Sequence, residues 1–155
     1  MTNETVQVAI IMGSDSDLPV VEASFSILDD FGVKYTKNVM SAHRTPHDVM
    51  ELIKTSEEHG CKVFIAAAGM AAHLAGAVAA HSTKPVIGIP IESGGMGGID
   101  SLLSTAMMPP GVPVATVAVG KSGAKNSAIL AVQILATSDD CLLYTSDAAD
   151  EKRWG

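Results

Sequence analysis

The run Ser41-Ala42-His43-Arg44-Thr45-Pro46 places an ionisable imidazole and a permanent cation directly before a helix start. Thr45 suits the N-cap, Pro46 the first helical position, and Asp48 completes a T-x-x-D pattern ahead of Val49, Leu52 and Ile53. A helix N-terminus favours anions, and an arginine beside it adds a bidentate donor fork suited to phosphate. An imidazole titrating at roughly 6.5 can carry a proton near neutrality. The combination predicts acid–base chemistry next to a phosphorylated ligand. Its plainer reading is His43 bonded to backbone and Arg44 paired with a surface carboxylate.

Two further runs bear on that choice. Gly13-Ser14-Asp15-Ser16-Asp17 offers hydroxyls, amides and a carboxylate, and Asp17 can accept from both vicinal hydroxyls of a ribose. The same residues equally make a turn with an N-cap near Asp17. Gly69-Met70-Ala71-Ala72-His73-Leu74 pairs close backbone approach with a second imidazole, which lines a pocket or packs structurally. No metal site is expected, because no H-E-x-x-H pattern accompanies these histidines. Gly120-Lys121-Ser122 is not a P-loop, since Ala115 stands where its first glycine belongs. Nor is 93–98 a dinucleotide fingerprint, because Asp100 takes the place of the third glycine counted from Gly95. That Gly-rich stretch reads as a flap over a ligand or a plain surface loop.

The elements that must position these residues alternate in type. Strands are expected at 6–12, 33–39, 62–67, 85–89 and 112–119, and helices at about 19–31, 46–59, within 71–81, after a cap at Asp100, and at about 124–136. Alternating strands and helices, with near-continuous apolar strands, predict an α/β fold with a parallel sheet covered on both faces. Right-handed crossovers then bring 13–17, 41–45, 69–73 and 90–99 to one rim, where such sheets bind ligands. That convergence favours a functional reading of His43 and Arg44.

Composition narrows the classes. The 155 residues are 47% hydrophobic and 17% charged, consistent with one domain and a substantial core. A net charge of −7 without a Lys/Arg cluster argues against nucleic-acid binding. Two cysteines make no disulfide framework, and Cys61 reads as a buried thiol. No signal peptide or membrane-length apolar run is visible, so a cytoplasmic location without a membrane partner is expected. The scarcity of charge also suggests surface hidden in an oligomer.

Together these motifs resemble the PurE family of purine biosynthesis. The likeness covers roughly residues 6–138 in order and at family-like spacing. It is carried by 8–17 (Val8-Ala9-Ile10-Ile11-Met12-Gly13-Ser14-Asp15-Ser16-Asp17), by 41–46, and by Ala68-Gly69-Met70-Ala71-Ala72-His73-Leu74. Met108-Pro109-Pro110-Gly111-Val112-Pro113-Val114-Ala115-Thr116 and Gly120-Lys121-Ser122-Gly123-Ala124-Lys125-Asn126 complete it. The resemblance implies a flavodoxin-like three-layer α/β/α sandwich, a five-stranded parallel sheet and a homo-octamer. It implies a small ribonucleotide substrate and no cofactor. The Ala-His-Arg-Thr-Pro version is similar to class I, the N5-carboxyaminoimidazole ribonucleotide mutases; class II, the direct carboxylases of aminoimidazole ribonucleotide, typically carries Lys where Arg44 stands. By the same resemblance His43 is the acid–base residue. Ser14, Ser16 and Asp17 hold the ribose-phosphate part, Ser41 and Arg44 lie near the phosphate with Ala42 between them, and Ala68, Gly69, His73 and Leu74 line the base and carboxylate pocket. A non-catalytic nucleotide sensor is the alternative outside enzymes. The catalytic domain is expected to end at 138. Residues 139–155 form an atypical tail, irregularly docked or poorly ordered beyond about 140.

Overall fold

Five segments pair in parallel to make the sheet, apolar in its three central strands: β1 (Val8–Met12), β2 (Tyr35–Val39), β3 (Val63–Gly69), β4 (Val86–Ile91) and β5 (Ala115–Thr116). The structure, a computed structural model, describes residues 5–142. Strand order is β2-β1-β3-β4-β5, the flavodoxin-like doubly wound arrangement, whose switch point lies between β1 and β3. Register places Val8 opposite both Tyr35 and Val63, and Phe64 opposite Val86, so the C-terminal ends of β1 to β4 share one rim.

The period-2 alternation of a strand explains the layers. Val8, Ile10 and Met12 of β1 face a core shared with α1 (Leu18–Asp30) and α5 (Lys121–Ala136), through Val21, Leu28, Ala128 and Leu135. Ala9 and Ile11 face the opposite core, built with α2 (Pro46–Glu58) and α3 (Leu74–His81) through Val49, Ile53, Ala75 and Val78. Because β1 is buried on both faces, it carries no polar residue. Each such valine or isoleucine contributes about 1.5–3 kcal/mol when fully buried. Small residues bring the second layer close: a Cβ on Gly88 would lie 2.9 Å from Val114 and 3.2 Å from Ala75. Cys61 is buried with its thiol donating to the Val63 carbonyl, and burial raises its pKa. No helix among the described residues is long and apolar enough to cross a membrane.

Several local expectations change. The fifth strand is two residues long instead of spanning 112–119. Ala115 and Thr116 alone pair, with Ile87 and Gly88, because this is a sheet edge and Pro109, Pro110 and Pro113 lack the N–H a ladder needs. β4 runs through Pro90 to Ile91, so the loop after it begins at Glu92. The cap of α4 (Ile99–Ala106) is Gly98, at φ 81°, and Asp100 falls in the first turn. Thr45 occupies the N-cap of α2 but makes no side-chain cap bond. Its hydroxyl instead donates to the Ser41 carbonyl at 3.2 Å and accepts from Ser41 N at 3.1 Å, so T-x-x-D closes the preceding turn without capping the helix. Of the tail, residues 139–142 are described: Asp139 Oδ1 accepts from Cys141 N and Leu142 N, and Leu142 is buried against the α1/α5 core. The expectation for 143–155 lies outside the described residues.

Candidate functional site

The rim at the strand C-termini holds a cavity of about 470 Å³. Its floor is set by the switch point: Gly13 N donates to the Ala67 carbonyl at 2.9 Å and Met40 N to the Met12 carbonyl at 2.8 Å, which lock the loops after β1 and β2 beside β3. After β1, Ser14 caps a 3-10 turn at Asp15–Asp17. Ser16 N donates to Ser14 Oγ at 3.3 Å, and Asp17 Oδ2 accepts from Ser14 N at 3.0 Å. The turn with its capping box is present, and it leaves Asp17 and the side chains of Ser14 and Ser16 on the cavity wall.

Asp17 is 6% exposed, and burial raises its pKa from 3.8 against the opposing bond from Ser14 N, with Asp15 adding a smaller push upward. A raised folded-state pKa means the ionised group costs stability, so its stabilising contribution is full below pH 3.8 and is lost as pH rises through the folded value. Asp17→Asn is therefore expected to melt higher than the parent at pH 7, with the difference closing as pH falls toward 3.8. Weaker binding of a ligand with vicinal hydroxyls is expected too, since a carboxylate can accept from both and an amide oxygen accepts less strongly. A pH series of melting curves beside steady-state kinetics checks both halves. An Asn variant that melts lower at neutral pH contradicts the burial argument.

After β2, the turn 41–45 is closed by Thr45 N donating to the Ser41 carbonyl at 2.8 Å and Arg44 N donating to Ser41 Oγ at 3.2 Å. His43 and Arg44 are exposed, with their side chains on the cavity wall. Pro46 and His47, the first residues of α2, do not line it, so the wall here is formed by Arg44 and the Ser41 turn and not by the helix's first turn. His43 reaches the loop after β3: its Nε2 lies 2.8 Å from His73 Nδ1, one ring donating its N–H to the bare nitrogen of the other, with the rings edge to face at 78°. That loop is held by Ala72 N donating to Ser104 Oγ at 2.9 Å, whose own proton goes to the Asp100 carbonyl at 2.7 Å. Met70 sits at φ 56°, the one non-glycine residue at positive φ among those described, and such strain gathers at functional loops.

All eleven residues singled out in the sequence meet here: His43, Ser14, Ser16, Asp17, Ser41, Ala42, Arg44, Ala68, Gly69, His73 and Leu74 line the one cavity. Gly13, Met70 and Ala71 join them, and so does Ser93. Ser93 lies two residues past the C-terminal end of β4, within the 90–99 segment expected on this rim. Of the Gly-rich loop only Ser93 reaches the wall, and Met70 packs on Gly94 beside it. No group of three or more His, Cys, Asp or Glu among the described residues is placed to hold a metal ion. The cavity can therefore hold a phosphorylated sugar between Arg44 and Asp17. Two imidazoles, His43 and His73, share its wall with the small residues Ala68 and Gly69.

The chain is similar to known proteins over most of its length. A family model described as AIR carboxylase matches residues 7–153, a span that continues past residue 138. The N5-carboxyaminoimidazole ribonucleotide mutase of Pyrococcus abyssi is 57% identical over 129 residues, covering 83% of this chain and 73% of that protein. The protein of the same name from Bacillus subtilis is 51% identical over 144 residues, covering 93% and 89%. Among solved structures, that of Treponema denticola PurE superposes with a TM-score of 0.86 at 30% identity, covering 95% of this chain and 90% of the other.

Proposed function

The chain belongs to the AIR carboxylase family, and from that premise we propose that it is an N5-carboxyaminoimidazole ribonucleotide mutase of purine biosynthesis. It converts N5-carboxyaminoimidazole ribonucleotide into 4-carboxyaminoimidazole ribonucleotide. The observation that carries the reading at the level of chemistry is one cavity whose wall brings His43, bonded to His73, together with Arg44, Asp17 and the small residues Ala68 and Gly69.

In this reading the substrate phosphate lies against Arg44 and Ser41, and the ribose against Ser14, Ser16 and Asp17. The aminoimidazole and its carboxylate lie among Ala42, Ala68, Gly69, His73 and Leu74. His43 protonates the exocyclic nitrogen as its bond to the carboxylate carbon breaks, releasing CO2. Ring carbon C4 attacks that CO2, forming the new carbon–carbon bond, and the C4 proton returns to His43. Atoms and protons balance over the cycle, and one imidazole gives and then takes one proton. Small apolar walls exclude water and keep CO2 beside C4, which replaces a bimolecular capture with a near-unimolecular one. No metal or organic cofactor takes part in these steps. The competing reading, direct carboxylation of aminoimidazole ribonucleotide, is disfavoured by Arg44 standing where that class typically carries lysine.

Incubating the chain with N5-carboxyaminoimidazole ribonucleotide, and separately with aminoimidazole ribonucleotide plus bicarbonate, tests the assignment. Product from the first mixture alone is expected. Product from the second alone contradicts it, and binding without turnover of either identifies a sensor. Residues 1–138 are the catalytic domain in this proposal and 139–155 a tail outside it. The enzyme works in the cytoplasm as a homo-octamer without nucleic-acid or membrane partners. Light scattering on the full chain should give the mass of eight protomers, and a stable monomer would contradict the assembly.

A further inference from the structure

The geometry points to Ser93 as a positioning residue that holds the migrating carboxylate, an inference that rests on the mutase reading. Four serines line the cavity, and three have their hydroxyls engaged within their own turns. Ser14 Oγ donates to Asp15 Oδ1 at 3.2 Å, Ser16 Oγ donates to Ser14 Oγ at 2.9 Å, and Ser41 Oγ accepts from Arg44 N at 3.2 Å. The hydroxyl of Ser93 has no hydrogen-bond partner among the described residues, although it is half-buried on the wall. A half-buried hydroxyl left open in a concave site is a donor and an acceptor available to a ligand.

Its place in the fold says which part of the ligand. Along the rim the loops follow the strand order, from β2 with Arg44, through β1 with Asp17 and β3 with Gly69, to β4 with Ser93. Three strand spacings of about 4.8 Å separate the ends, roughly 14 Å, a span an extended mononucleotide fills. With phosphate at Arg44 and ribose at Asp17, the group that reaches the β4 end is the base substituent. Ser93 also sits tightly there. A Cβ built on Gly69 would strike Ser93 Oγ and lie 3.2 Å from both Ser93 Cβ and the Ile91 carbonyl oxygen. Glycine at 69 is what lets the serine lean across the end of β3, over the wall assigned to the base. Met70, held at φ 56°, packs its side chain on Gly94 and backs the turn that carries Ser93.

A hydroxyl at this point donates to the carboxylate in substrate and product and to an oxygen of CO2 between them, keeping the carbon within reach of C4. No bond is made or broken by Ser93. It affects the partition of the intermediate, capture by C4 against escape to solvent.

The test is the ratio of aminoimidazole ribonucleotide to 4-carboxyaminoimidazole ribonucleotide formed from N5-carboxyaminoimidazole ribonucleotide, after subtraction of the enzyme-free blank. Ser93→Ala is expected to raise that ratio about three- to tenfold, the scale of one hydrogen bond to neutral CO2, and to raise KM as well, because the substrate carboxylate loses the same donor. Ser93→Cys fills the same space with a weak donor and is expected to leak as the alanine variant does. A Cys variant with parental coupling would show that volume, and not the hydroxyl, matters, and would overturn the assignment. Parental coupling in Ser93→Ala overturns it as well, as does a loss of rate that follows a fall in Tm with the ratio unchanged. A parent chain that forms no 4-carboxy product overturns the mutase reading and this assignment together, whereas coupled turnover in the parent and in Ser93→Ala overturns the assignment alone.

Discussion

Replacing His43 by Asn lowers kcat by about 10²- to 10⁴-fold, the range a positioned proton carrier contributes, while KM for the ribonucleotide stays close to parental. Asparagine keeps a polar group near the ring position and leaves Arg44, Asp17 and the 41–45 turn undisturbed, since that turn is closed by Ser41 and Thr45. It cannot give and take a proton, so both chemical steps fail while binding persists. His73 makes the comparison sharp. Its side chain hydrogen-bonds His43, at 2.8 Å, and one such bond contributes about 0.5–1.5 kcal/mol, so His73→Asn is expected to cost at most roughly tenfold. Steady-state kinetics of the two variants separate the proton carrier from the group that steadies it. Parental kcat in His43→Asn with normal substrate binding would refute the role given to His43.

Gly123→Ala is expected to destabilise the protein by about 3 kcal/mol, a fall in Tm of roughly 6–12 °C, although helix propensity alone argues the opposite. Alanine is favoured over glycine in a helix interior by about 0.8–1.0 kcal/mol, and Gly123 lies inside α5 without a positive φ. The decisive term is contact. A Cβ at 123 would collide with the carbonyl of Ala118, whose carbon would lie 2.7 Å away, with Val117 Cγ2 at 3.3 Å. That carbonyl is backbone and cannot rotate aside, so the first turn of α5 must lift from the 117–120 segment. The lift pulls on the Gly120 N–H donated to the Pro90 carbonyl at 2.9 Å, and through β4 on the rim that carries Ser93. Gly32→Ala serves as control. Its site is open, so only its φ of 67° opposes the substitution, at about 1–2 kcal/mol. A Gly123→Ala protein that melts at or above the parental temperature would show that α5 docks differently.

The parts of the fold legible in the sequence are those set by local pattern. β1 declares itself because burial on both faces leaves an unbroken apolar run, and α1 ends where expected because Gly32 takes φ 67°. The parts that were not legible depend on partners far along the chain. Val112, Val114 and Val117 read as a core strand, yet a sheet edge has one neighbour, and only Ala115 and Thr116 find it. Asp100 has a capping residue's chemistry, but Gly98 takes the cap because its left-handed backbone starts the helix two residues earlier in space. Thr45 illustrates the same limit at close range, since its hydroxyl can serve either the helix or the turn before it, and only the three-dimensional turn decides. In the site, each motif could be found alone because its residue types carry chemistry. The bond between His43 and His73 crosses 30 residues and could not be found that way. Ser93 falls in the 90–99 segment that the strand order brings to the rim, but only the register of Gly69 with Ile91 shows what it leans over.

In the proposed reaction one carboxylate moves from the exocyclic nitrogen to C4 within the cavity at the strand C-termini. The direct test supplies N5-carboxyaminoimidazole ribonucleotide labelled with 13C in its carboxylate, in buffer containing unlabelled bicarbonate, and follows the product by NMR. The account predicts 4-carboxyaminoimidazole ribonucleotide with the label retained at the new C4 carboxylate. Unlabelled product drawn from bicarbonate, or no product at all, would contradict it.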